Sequence, residues 1–330
     1  MSAAIRETNF DLPGQVGEVY HGKVRDVYTI AHGAGDLLVS VCTDRISAFD
    51  VVLPEPIPYK GQVLNQMSAE LLEATSDTAP NWLIESPDPN VSIGLKAEPF
   101  KVEMIMRGFL LGTSWRGYKD GVRDLCGNRL PDGMEEFQPF AKPLLTPTTK
   151  AEAGHDENIT PQQIIESGQG LATREEFEEM ERLAHDLFAR GQAMADERGL
   201  LLADTKFEFG RLISGEIVVI DEVLTPDSSR FFPAPQYQAY LAGETDRRPE
   251  QLSKEFVRED LMKQGFDGQP GQKLPHMTDE FRQEVSERYI NLFERMLGHE
   301  FVPATAENSK DALDRIRDNI TQYLNDLVIA

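Results

Sequence analysis

The chain has 330 residues, 40% hydrophobic and 27% charged, a globular composition too long for one small core. Lys and Arg number 33 against 56 Asp and Glu, a formal net charge of −23, which argues against binding nucleic acid or anionic membranes through bulk electrostatics. Two cysteines, Cys42 and Cys126, cannot build a disulfide framework. The N-terminus has no basic region followed by an apolar run, and no apolar stretch approaches the ~18 residues of a membrane helix. The expectation is a cytoplasmic protein with no nucleic-acid or membrane partner, its oligomeric state open and a monomer plausible. Anionic small molecules stay possible as ligands, but their site must gather cations locally against the global field.

Residues 18–30, EVYHGKVRDVYTI, read as two strands around a turn at His21 and Gly22, with Lys23 and Arg25 pointing the same way. A glycine turn with a basic pair can lie over phosphates. With one glycine only, and no GxGxxG, it also suits a solvated edge strand. A buried strand over 37–42 then runs into Thr43, Asp44, Arg45, Ser47 and Asp50. A polar cluster at a strand's end is a candidate ligand loop, or else a capped turn in which Asp44 and Arg45 pair with neighbours. Pro54, Pro56 and Pro58 enforce an extended path into a helix over 61–74, whose buried stripe is Val63, Leu64, Met67, Leu71 and Leu72.

Residues 76–100, rich in Pro, Asp and Ser, read as a surface excursion, and 122–140 as a further loop. Between them a strand over 101–110 sets Glu103 and Arg107 on one face; glycines and the polar Ser114, Arg116 and Lys119 follow. The domain boundary is placed here, with a β-rich unit over 1–110 and a mixed unit over 111–330. The segment 142–163 holds Lys142, Lys150, His155 and Asp156, and ends in a capping box of Thr160 and Gln163 with Pro161 at the first helical position. Thr173 and Glu176 repeat that signal before a long amphipathic helix closed by Gly199.

The stretch 201–230, LLADTKFEFGRLISGEIVVIDEVLTPDSSR, reads as two strands and a turn bracketed by Gly210 and Gly215. Alternation places Asp204, Lys206 and Glu208 on one face, and Thr205, Phe207 and Phe209 on the other. The second strand ends abruptly in Asp221 and Glu222. Acids on neighbouring strand ends suit Mg²⁺ held against phosphates, since that ion takes one or two carboxylates with substrate oxygens and water. They equally suit a hairpin with a charged solvent face. Arg230 follows in a Pro-broken loop. Lys254 and Arg258 share a face if their segment is helical. Two amphipathic helices, over 279–297 and 309–328, complete the chain as scaffold.

Taken in order, GKVRDVY at 22–28, DRISAFD at 44–50, RGFLLGTSW at 107–115, KPLLTPTTKAE with GHDENIT between 142 and 160, LLADTKFEFG at 201–210 and DEVLTPDSSR at 221–230 resemble one family. It is phosphoribosylaminoimidazole-succinocarboxamide synthase, or SAICAR synthetase, and the resemblance spans roughly 18–262. The tail and the two excursions look like the longer members found in yeast and some bacteria. Ser253 stands where short members often carry an acid.

The resemblance implies an α+β fold, in which a small antiparallel β domain lies over a larger mixed α/β domain, in a layout related to protein kinases and ATP-grasp enzymes. It implies an ATP-dependent ligase that joins L-aspartate to the carboxylate of carboxyaminoimidazole ribonucleotide, with Mg²⁺. It puts Gly22, Lys23 and Arg25 at the ATP phosphates and Glu208 and Asp221 on the metal and nucleotide. Lys150, Lys206 and Asp221 fall at the reacting groups. Asp44, Ser47, Asp50, Arg107, Ser114, Arg230, Lys254 and Arg258 are placed around the ribonucleotide and aspartate. A small-molecule kinase is a rival reading, but no HRD-type loop precedes Asp221. A non-catalytic nucleotide-binding regulator is the other.

Overall fold

The computed structural model describes residues 4–33, 35–150, 156–166 and 171–329. A hairpin of β1 (Tyr20–His21) and β2 (Arg25–Ile30) leads to β3 (Leu37–Cys42). A second, tight hairpin, β4 (Ser47–Ala48) with β5 (Val51–Val52), precedes α1 (Lys60–Ala74). β6 (Leu83–Asp88) and β7 (Val91–Leu95) then complete a five-stranded antiparallel sheet in the order β1-β2-β3-β7-β6. The stretch 76–100 is therefore no mere surface excursion. Val91 and Ile93 are fully buried, and Ile93 pairs with Val39 of β3. The pairing is non-local, so the polar residues flanking this short strand mask it in the sequence.

β8 (Glu98–Phe109) opens the second sheet. α2 (Gly112–Lys119) follows, then a small hairpin of β9 (Asp124–Leu125) and β10 (Asn128–Arg129), then β11 (Pro139–Leu145) and β12 (Thr148–Thr149). Leu125, Leu130, Met134 and Phe137 are buried, so the expected loop over 122–140 is packed structure. α3 (Pro161–Glu166) and α4 (Arg174–Glu197) lead into β13 (Leu200–Arg211), β14 (Ile217–Ile220) and β15 (Ser229–Pro233). The second sheet runs β11-β8-β13-β14, with β12 on β8 and β15 on β13. The boundary expected at residue 110 falls just past β8, whose partners are β11, β12 and β13 of this second sheet.

Both expected capping boxes form. Thr160 and Gln163 exchange bonds of 2.8 and 3.1 Å, and Thr173 and Glu176 bonds of 2.8 and 3.3 Å. α4 lays Phe177, Met180, Leu183 and Leu187 into the main core with Met104, Met106, Phe207 and Phe209 of the second sheet. The sheet's other face carries Glu103, Arg107, Asp204, Lys206 and Glu208. A register shift between Leu202 and Asp204 lies where that polar face begins.

α5 (Ala234–Leu241), α6 (Glu255–Lys263), α7 (Asp279–Leu297) and α8 (Ser309–Ile329) follow. α8 returns to the first sheet: Ile316, Ile320 and Leu324 join Tyr28, Val39, Val41 and Ile93 in one cluster. Among the described residues no helix is long and apolar enough to cross a membrane.

Asp44 anchors this assembly from inside. Its carboxylate accepts the backbone N–H groups of Ile5 at 2.8 Å and Gly61 at 3.0 Å, tying the N-terminal segment and the first turn of α1 to the end of β3. Gly61 has to be glycine there, because a Cβ would stand 2.5 Å from the Cys42 carbonyl. Burial pushes the Asp44 carboxyl up to about 6, against the two N–H donors. A folded-state pKa above the unfolded one means that the native state binds the proton more tightly. The stability from this group therefore grows as pH falls through about 6 and is lost as pH rises through it. The native protein should gain about 1 kcal/mol from this carboxyl between pH 7 and pH 5, a gain that Asp44→Asn lacks. Urea unfolding midpoints of both proteins at the two pH values check this. An identical pH response would show that Asp44 is not held in this way.

Candidate active site

A cavity of about 1380 Å³ opens between the two sheets. Val27 and Leu38 of the first sheet, and Trp82, Ala97, Phe100 and Ile220, make one wall apolar; the polar face of β8 and β13 makes the other. All the site residues expected from the sequence line it except Asp44, which lies beneath β3 as described. Asp156 lines it too, whereas Lys142 does not, and His155 lies outside the described residues.

At the first sheet's edge, Gly22 and Lys23 form the β1–β2 turn over the cavity, and Lys23 pairs with Asp50. Arg45 shapes the turn from below. It donates to the carbonyls of Gly22 at 2.9 Å and Lys23 at 3.3 Å while pairing with buried Asp26 at 2.8 Å. Asp50 reaches Lys23 because Phe49 and Asp50, the two residues between β4 and β5, have φ of 51° and 62°. Positive φ at both positions is the type I′ pattern, usual for Asn-Gly and rare for Phe-Asp, so the sequence carries no turn signal here. The edge of Phe49 rests on Phe266, centroids 6.1 Å apart. Ser47 sits buried on β4 beside this turn.

Arg25 leaves the same loop but turns inward. Its guanidinium lies 2.7 Å from Cys42 Sγ and 3.1 Å from Asp221, and pairs with Glu222. Burial opposes the charge, yet Cys42, Asp221 and Glu222 raise the Arg25 pKa above its usual range. Arg25 thus stitches the first sheet to the end of β14. Asp221 itself has φ 61°, and the Trp82 indole donates to its carbonyl at 3.1 Å. Trp82 lay in the stretch read as surface, and an aromatic in so polar a run was the available signal.

Glu208 and Glu103 are direct cross-strand partners on β13 and β8. Lys206 bridges them, at 2.6 Å from Glu208 and 2.7 Å from Glu103, and Lys150 pairs with Glu208 from β12's end. Burial would raise the Glu208 pKa, but Lys206 and Lys150 bring it down to about 2, so the carboxylate is charged at any working pH. Glu208 also lies opposite Ile220, one residue before Asp221, so both acids face the cavity from adjoining strand ends. Among the described residues no three His, Cys, Asp or Glu side chains gather as a ready-made metal cluster. Two carboxylates with room for phosphate oxygens and water still match the oxygen donors that Mg²⁺ takes.

The far end of the cavity is a guanidinium cluster. Asp204 takes Arg230 at 2.5 Å and Arg107 at 3.3 Å; Glu255 takes Arg230 at 3.1 Å, Arg258 at 3.0 Å and Arg116 at 3.5 Å. Against burial, Arg230 and Arg258 hold the Glu255 carboxyl well below the usual range. Four guanidinium groups share two carboxylates, which leaves two positive charges in excess. Arg230 packs over Gly112, where φ is +60° and a Cβ would meet the guanidinium at 2.5 Å. Ser114, in the first turn of α2, donates to the Leu111 carbonyl at 2.8 Å. Lys254, just ahead of α6, lies 3.4 Å from Asp227. The sequence reading missed the gathering roles of Glu255, Asp204 and Arg45, because what marks them is a partner distant in the chain.

Comparison with known proteins finds one family. The SAICAR synthetase family matches residues 18–273. A phosphoribosylaminoimidazole-succinocarboxamide synthase from Bacteroides thetaiotaomicron is 53% identical over 324 residues, 98% of this chain and 99% of that protein. The solved SAICAR synthase of Saccharomyces cerevisiae complexed with SAICAR shares 31% identity at a TM-score of 0.73, over 91% of this chain and 100% of that one. A SAICAR synthetase solved in complex with ADP, at 22% identity, has the same fold with a TM-score of 0.65, covering 87% of this chain and all of its own. The chain belongs to the SAICAR synthetase family, whose reaction is the ATP-dependent ligase step of purine biosynthesis.

Proposed function

We propose that the cavity joins L-aspartate to the carboxylate of carboxyaminoimidazole ribonucleotide, converting ATP to ADP and phosphate. The observation that carries this assignment is the division of the cavity into two charged ends. One has carboxylates and lysines suited to a metal–nucleotide complex. The other has two excess positive charges, suited to a phosphate dianion.

A carboxylate is a poor electrophile. Transfer of the γ-phosphoryl group to one of its oxygens makes an acyl phosphate and releases ADP. The aspartate amine then attacks the acyl carbon, the new C–N bond forms, and phosphate leaves with the oxygen. Such transfers need alignment and charge neutralisation more than covalent help from the protein. In this reading the apolar wall with Trp82 and Phe100 takes the base of ATP, and Lys23 and the Gly22 turn cover its phosphates. Glu208 and Asp221 would hold Mg²⁺, which when bound draws phosphate oxygens together and offsets their charge. Lys150, now on Glu208, is within reach of the transferring phosphoryl group. Lys206 keeps Glu103 and Glu208 from repelling each other, and Arg25 orients Asp221.

Arg107, Arg230, Arg258 and Ser114 take the ribonucleotide. Ser47, Asp50 and Lys254 lie where it meets aspartate. Asp44 drops out of the substrate set, since both its oxygens already serve the backbone. In this reading the unit of 1–110 covers the ATP and the unit of 111–330 carries the metal and most of the ribonucleotide site, with Arg107 of β8 reaching across from the first. The described residues of one chain supply every group used in this reading, so a monomer suffices for it.

ADP release should require both the ribonucleotide and L-aspartate, with one succinocarboxamide formed per ADP. Assays omitting each substrate in turn check this, and ADP formed with neither present would overturn the ligase reading. Asp221→Asn should cut kcat at least a hundredfold while leaving the unfolding midpoint within a few degrees, because it removes a charged metal ligand at the cavity edge. Near-wild-type turnover with Mg²⁺ would sink the metal assignment. Arg258→Ala should raise the ribonucleotide KM about tenfold to a hundredfold, the worth of one charge-assisted bond, with little change in the ATP KM. A change confined to ATP would place Arg258 at the wrong end of the cavity.

A further inference from the structure

The family match ends at residue 273, ahead of α7, yet α7 reaches the active site. Its Tyr289 is 1% exposed and donates from its hydroxyl to Asp227 Oδ1 at 2.7 Å. Asp227 belongs to the loop between β14 and β15, which starts at Asp221 and leads to Arg230 on β15, and it lines the cavity. Its other oxygen, Oδ2, is shared by two lysines: Lys60 of α1 at 3.0 Å and Lys254 at 3.4 Å. The Lys60 side chain is fully buried, and its ammonium also lies 5.8 Å from the centre of the Tyr289 ring. Placement of α7 is fixed independently. Ser286 donates to the Pro58 carbonyl at 2.6 Å and Arg282 to that of Pro56 at 2.8 Å, beside the start of α1.

A buried ammonium is costly unless it is paired, and among the described residues Asp227 is the carboxylate paired with Lys60. The closer contact commits the Asp227 charge to Lys60. Lys254 has the longer contact and is the one of the two lysines that lines the cavity. Among the described residues two ammonium groups share this one carboxylate, with Glu222 a further negative charge drawing on Lys254, and the Lys254 ammonium is the one on the cavity wall. Burial, with Arg258 and Lys60 nearby, lowers the Lys254 pKa against the pull of Asp227 and Glu222.

We propose that Tyr289 is a positioning residue for the ligase reaction: its hydroxyl clamps Asp227 onto Lys60 and so leaves the Lys254 ammonium for an anionic group of the ribonucleotide. This rests on the placement of Lys254 where the ribonucleotide meets aspartate, with its ammonium serving the ribonucleotide. The phenol suits the task. Burial and the adjacent carboxylate raise its pKa well above 10.0, so it remains a donor across the working range. In this arrangement the tail is part of the binding site as well as scaffold.

Tyr289→Phe retains the ring and its packing and deletes only the hydroxyl. KM and kcat would be measured for ATP, ribonucleotide and L-aspartate in the full-length protein. The expected result is a rise of about tenfold in the ribonucleotide KM, with kcat within about twofold and the ATP KM unchanged. Lys60→Met should move the same KM in the same direction, because Asp227 is then free to neutralise Lys254. In a Lys254→Ala background, Tyr289→Phe should add nothing, since it acts through that ammonium. Unchanged KM values in Tyr289→Phe, equal losses on all three substrates and kcat, or full additivity with Lys254→Ala would each overturn the proposal. A rise confined to L-aspartate, still absent from the Lys254→Ala background, would uphold the positioning role and overturn the ribonucleotide assignment of Lys254.

Discussion

Glu103 and Glu208 face each other directly across β8 and β13, the central strands of the second sheet. Two carboxylates so placed repel, and the repulsion strengthens as water is excluded. Lys206, two residues from Glu208 and on the same face, answers it by bonding to both. The lysine–carboxylate end of the cavity depends on this arrangement. With Lys150 also on Glu208, the lysine offsets that repulsion where Glu208 faces the cavity beside Asp221. The same logic governs the other end, with signs reversed. Four arginines are held together by Asp204 and Glu255, so that the cluster is ordered before any anion arrives.

The cavity is thus electrostatically incomplete by design of its neighbours. At the arginine end two buried carboxylates offset half of the charge and leave a defined remainder. Such a site recruits anions locally although the chain carries −23 overall. Pre-paired cations also lose less entropy on binding than free surface lysines would. The cost is borne by packing: Gly61 and Gly112 each give up a side chain to let a backbone or a guanidinium approach, and Phe49, Asp50 and Asp221 take backbone conformations uncommon for L-residues.

Much of this architecture was present in local patterns. Alternation at Asp204, Lys206 and Glu208, the acids closing β14, the two capping boxes and the stripes of α1, α4 and α7 each follow from a period of two or 3.6 and from cap chemistry within a few residues. Other features have no local trace. β7 is marked by its pairing to β3, the Phe49–Asp50 turn lacks the residues its geometry favours, and the Tyr289 hydroxyl acts on a residue 62 positions away.

Asp44 and Arg25 divide the two kinds of information most sharply. By itself the sequence determined that these ordered motifs set cations and acids along strand faces and strand ends, because residue type and spacing define which chemistry a face can present. It could not determine which of those charges meets a ligand and which meets another part of the chain. Both acids and bases are satisfied equally well by either, and the choice rests on distances between segments far apart in sequence. Tertiary structure turned Asp44 inward to two backbone N–H groups, bound Arg25 to Asp221 and Glu222, and left Lys254 and the guanidinium cluster with charge still to be met.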